Sequence, residues 1–143
     1  MRDEDRYRLA PVREVRELAE RAQRGELAGA VDSVRHAEAR LAAARERVAR
    51  ARTAVQAALA ARDAQPTAAT RALADRFAAR RRHELVAARH DELRAELARD
   101  DRAGEVDLAR RSLARARADR EVIERHFARW RDDRRKLAER RED

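Results

Sequence analysis

The sequence predicts an all-α fold: a long antiparallel two-helix coiled-coil hairpin with an overhanging C-terminal helix end. Three observations carry that expectation. Apolar residues recur at alternating four- and three-residue spacing on both sides of one interior proline. The composition is dominated by Ala, Arg, Glu and Leu, which favour helix. Large apolar residues are too few for a thick globular core, whereas a two-helix seam needs far fewer.

The 143 residues suit one domain, 1–143. Residues 1–10 read as a charged lead carrying Tyr7 and Leu9. Pro11 suits the first turn of a helix, predicted over 11–64. Val12, Val15, Leu18 or Ala19, and Ala22 mark its opening apolar face. Gly25 and Gly29 then make either a soft spot or a place of close helix approach. From Ala30 the heptad is regular: Val34, Ala37, Leu41, Ala44, Val48, Ala51, Val55, Ala58. Alternation of large and small residues there invites a close partner helix.

The turn is expected at 65–67. Pro66 lacks the N–H that would continue a helix, and the next helix can start from Thr67, or from Gln65 with Pro66 in its first turn. The second helix is predicted over 68–141, opening with Leu73 and Phe77. Its first seam reads Ala79, His83, Val86, His90, Leu93, Leu97. After Asp100–Gly104 the stripe resumes in a shifted register at Val106, Ala109, Leu113 and Ala116, then Ile123, Phe127, Trp130 and Leu137. The shift is either a stutter in one helix or a true turn, and no proline follows Gly104 to favour the turn. Folding about Pro66 places residue 12 near 119. The apolar stripe beyond Arg120 then has only the lead around Tyr7 and Leu9 to cover it, unless another protein does so.

Several chemistries are disfavoured. There is no cysteine, and no glycine-rich loop precedes a Lys-Ser/Thr pair. His83 and His90 are seven apart, roughly 10 Å along a helix, too far to share a metal. Asp100-Asp101 and Asp132-Asp133 read as solvated pairs. A two-helix rod offers no deep pocket, so the reading is a non-enzyme with no cofactor. The net charge of +8 invites a nucleic-acid partner, but acidic residues are interleaved with the arginines and base-stacking aromatics are scarce. A generic coiled-coil oligomer, pairing through the stripe at 123–137, is a further alternative. No apolar leader or membrane-length run is visible, which points to a cytoplasmic protein without membrane insertion. The basic runs Arg80-Arg81-Arg82 and Arg134-Arg135-Lys136 are solvated faces or sites for an acidic partner.

The opening RYRLAPVREVRELAER, with its L-x-x-V-x-x-x-R-E-L pattern, resembles the start of the stalk proteins of bacterial type III export. These form the FliJ/YscO (SctO) family of flagella and injectisomes. The charged tail EVIERHFARWRDDRRKLAERRED is similar to that family's as well. The resemblance implies a two-helix coiled coil like the central shaft subunit of rotary ATP synthases. It would link a hexameric export ATPase to the cytoplasmic domain of the export-gate membrane protein, at the inner-membrane export apparatus. On that pattern Arg131, Arg134, Arg135 and Lys136 meet the ATPase pore, with Phe127 and Trp130 packing nearby. Leu73 and Phe77 occupy the region comparable to the gate contact, though with different spacing. Chaperones of secreted proteins are further partners of some members.

Overall fold

A computed structural model describes residues 6–142. Residues 1–5 of the expected lead, and Asp143, lie outside the described residues. The chain forms two α-helices, α1 (Ala10–Asp63) and α2 (Ala68–Glu142), in an all-α hairpin. Helix α2 is unbroken through 100–104, so the reversal lies at Pro66 and not at Gly104.

The turn is built from local chemistry. The Gln65 amide donates to the Arg62 carbonyl (3.1 Å) and closes the end of α1. Pro66 follows, and Thr67 caps α2: its Oγ1 accepts from the Thr70 amide (3.1 Å). Reciprocally, the Thr67 amide donates to Thr70 Oγ1 (3.3 Å), so two amides of the first turn are satisfied. No peptide is cis and no residue has positive φ among those described.

Contacts divide the chain into two units: residues 1–31 with 105–143, and residues 32–104. In the second unit the α1 seam lies where the heptad puts it, with Ala37, Leu41, Ala44, Val48 and Ala58 buried. The α2 seam does not follow the expected residues. Val86, Leu93 and Leu97 are more than half exposed, and Ala79, His83 and His90 are exposed too. Buried or half-buried instead are Ala74, Ala78, Arg81, Leu85, Ala88, Glu92, Ala95 and Arg99, one helical step around.

This face has fewer large apolar residues, but it is in phase with Val106, Leu113 and Ile123, all buried further along the same helix. A continuous helix keeps one phase, so no stutter is needed. The alanines also let the helices approach closely. The charged members reach out along their stems: Arg45 lies 3.6 Å from Glu92, and Arg62 lies 3.5 Å from Asp75.

Those pairs fix the register. Partners sum to 137 (45 + 92 and 62 + 75) or 141 (45 + 96), not to the 131 implied by residue 12 opposite 119. Residues 68–73 are all exposed, and α2 first packs at Ala74. The helix thus starts at Ala68, six residues before its first half-buried residue, and Arg62–Asp75 is the ion pair across the helices beside the turn.

In the first unit the cross-helix partners sum to 135–140, centred on 137: 16 + 119, 13 + 124, 20 + 117 and 20 + 120. Here the expected opening face is overturned. Val12, Val15 and Leu18 are 40%, 62% and 60% exposed. Arg13, Glu17, Glu20 and Gln23 face inward instead, on the backward extension of the heptad. Glycine is not demanded by close approach either, because a Cβ at Gly25, Gly29 or Gly104 would meet nothing within 4 Å.

Candidate functional site

The first unit carries the residues that the sequence singles out near the end of α2. Tyr7, just before α1, is buried and packs into that helix. Its ring meets Phe127 edge-on (5.0 Å between centroids) and lies 5.2 Å from Trp130. The Tyr7 hydroxyl is hydrogen-bonded to His126 Nδ1 at 2.9 Å. Phe127 stacks on Trp130 at 5.8 Å, and the Arg13 guanidinium sits 4.4 Å above the Phe127 ring. Aromatic and cation–π contacts of this kind contribute about 0.5–1.5 kcal/mol each. Ile123 is buried, while Phe127 and Trp130 are half-buried.

The stripe beyond Arg120 therefore has a partner in its own chain. The register offset moves the partner of residue 12 from 119 to about 125, and Tyr7, ahead of α1, covers the stripe from there to Trp130. Leu137 stays 46% exposed.

Below the aromatic clasp lies a charged layer. Glu20 has a side chain only 5% exposed. It accepts from Arg24 (2.5 Å) and Arg120 (2.9 Å), with Arg117 at 3.7 Å. The Arg120 hydrogen bond, reinforced by Arg24, holds the Glu20 carboxyl below the usual glutamate range despite its desolvation. Glu124 is held low in the same way by the Arg13 hydrogen bond (2.7 Å). An open groove bordered by Glu20, Arg117, Arg120 and Glu121 runs beside this layer. Apolar periodicity passes over Glu20, because a glutamate at a heptad position reads as polar surface. Extending the heptad backward from Ala30 lands on it.

Of the other expected site residues, Arg131 and Lys136 are exposed and Arg134 is half-buried. Arg135 lies 3.7 Å from Asp132 and 3.9 Å from Glu139, which offsets part of the local charge. In the second unit Leu73 and Phe77 are 66% and 40% exposed. The Phe77 ring is flanked by Arg81 (4.9 Å) and Arg80 (5.7 Å). The structure thus presents Leu73 and Phe77 one turn apart on α2, with guanidinium groups over the aromatic ring.

Among the described residues no group of three His, Cys, Asp or Glu could hold a metal. No described helix is long and apolar enough to cross a membrane. No family model matches the chain, and no curated protein or solved structure is significantly similar to it.

Proposed function

We propose that this chain is a partner-binding structural protein, a stalk of the type III export kind that couples a hexameric ATPase to an export gate at the inner membrane. The supporting observation is the end of α2: residues 131–142 continue the helix past the aromatic clasp, with Arg131 and Lys136 exposed. A helix held by its own chain through Phe127 and Trp130 offers a pre-ordered cationic segment to an acidic pore. On this reading Phe127 and Trp130 position the segment, and Arg131, Arg134, Arg135 and Lys136 make the contact. Leu73 and Phe77 are the gate-facing pair, and chaperones of secreted proteins are candidates for the remaining surface.

The test is ATP hydrolysis by the cognate hexamer with and without this protein. Stimulation is expected, and Arg134→Glu with Arg135→Glu and Lys136→Glu should abolish it while helicity is retained. Equal stimulation by the triple variant would remove the patch from the mechanism. No stimulation by the native chain would remove the function.

A further inference from the structure

The face of α2 displaced from the seam is an ordered apolar stripe with nothing covering it. Val86, Leu93 and Leu97 are 60%, 53% and 57% exposed. With His90 between them they hold strict four-three spacing, the pattern of a helix that receives another helix. Its flanks are polarised. On its flanking positions Arg80, Arg82 and Arg89 lie towards the start of the stripe, and Glu96 and Asp101 towards its end with Arg94 before them; Glu96 also lies 3.9 Å from Arg45 of α1. A second copy laid antiparallel reverses that order, so each end meets its opposite.

The register works out in detail. With core positions summing to 183, Val86 faces Leu97 of the second copy and His90 faces Leu93. In an antiparallel coiled coil the flanking positions then pair Arg89 with Glu96 and Arg80 with Asp101, each twice by the two-fold axis. A parallel arrangement would set Arg89 against Arg94 and Glu96 against Asp101 of the second copy, which repels.

We infer that this stripe is a homodimerisation face, in which two copies pair antiparallel through α2 about a two-fold axis between residues 91 and 92. The inference goes beyond the stalk reading and does not rest on it. The apolar layers are few and histidine occupies two of them, so the contact is a weak and exchangeable one.

The test uses the full chain, which has no cysteine of its own. Sedimentation over roughly 10 μM to 1 mM, the range of small interfaces, should show monomer giving way to dimer. Leu93→Lys, at an exposed position, should abolish the dimer with helicity unchanged. Arg89→Glu or Glu96→Arg should each weaken it by roughly tenfold, and the two together should restore it. Mixing Val86→Cys with Leu97→Cys chains under oxidation should give a mixed disulfide, with no homodimeric disulfide from either chain alone. Two copies of residue 86 would sit eleven positions apart along the pair, roughly 16 Å. A monomer at all concentrations, a dimer indifferent to Leu93→Lys, or a disulfide between two Val86→Cys chains would each overturn the inference.

Discussion

The two units use the same register but hold their helices together differently. In residues 32–104 the α1 seam is apolar, and Ala37, Leu41, Ala44, Val48 and Ala58 are all buried. In the other unit the α1 seam is Arg13, Glu17, Glu20 and Gln23, with the half-buried apolar residues Leu27, Ala30 and Val31 only at its end. Cohesion there comes from α2 residues such as Ile123, from ion pairs across the seam, and from the Tyr7 clasp. The difference teaches that a heptad need not be hydrophobic on both helices. Long side chains can bury their stems and pair their ends. The polar unit is consequently sensitive to pH, and the apolar one to lost volume.

The largest effect expected from a single truncation is in the apolar unit. Leu41→Ala should cost about 2–4 kcal/mol in urea unfolding, as for a buried leucine. Leu93→Ala, on the exposed face, should stay within about 0.5 kcal/mol at dilute concentration. Next comes the clasp: Tyr7→Ala should cost about 2 kcal/mol through lost ring contacts and the His126 hydrogen bond. Amides near Trp130 should then exchange faster, with those near Leu41 unchanged.

Acid should act on the charged unit first. The folded pKa values of Glu20 and Glu124 are depressed, so their stabilisation is complete above the ordinary glutamate value of about 4.3. It is lost as pH falls through the lowered folded values. Denaturation midpoints should decline across that window, and Glu20→Gln should flatten the decline. An unchanged slope in that variant would show that Glu20 does not carry the effect.

The smallest expected change is a gain. Gly25→Ala and Gly29→Ala should each stabilise by up to about 1 kcal/mol, since a Cβ meets nothing there and the helix propensity improves. A loss at either site would mean that the backbone needs glycine after all.

How far the sequence foretold this molecule differs along the chain. The proline reversal, the two helices and the α1 seam from Ala30 to Ala58 were legible, because one residue type or one strong period decides each. The α2 seam was not. Counting large apolar residues selects Val86, Leu93 and Leu97, whereas packing selects Ala78, Leu85 and Ala88 through close approach and the phase imposed by Val106 and Leu113. Val12, Val15 and Leu18 misled in the same way, by being apolar where the inward positions are charged. Of the candidate site, coverage of Phe127 and Trp130 by the lead was one of two open readings. The register that allows it, with Arg13 paired to Glu124, is set among charged residues, which apolar periodicity does not reveal.

The placement of the α2 seam is the claim on which the register of residues 32–104 and the exposed stripe both depend. Its most direct test is to place the same charge on two neighbouring alanines: Ala78, 1% exposed, and Ala79, exposed. At dilute concentration Ala78→Asp should lose about 3 kcal/mol from an unpaired charge forced into the seam, and Ala79→Asp should lose less than about 1 kcal/mol, the helix-propensity difference alone. Equal losses, or a larger loss at Ala79, would contradict the account.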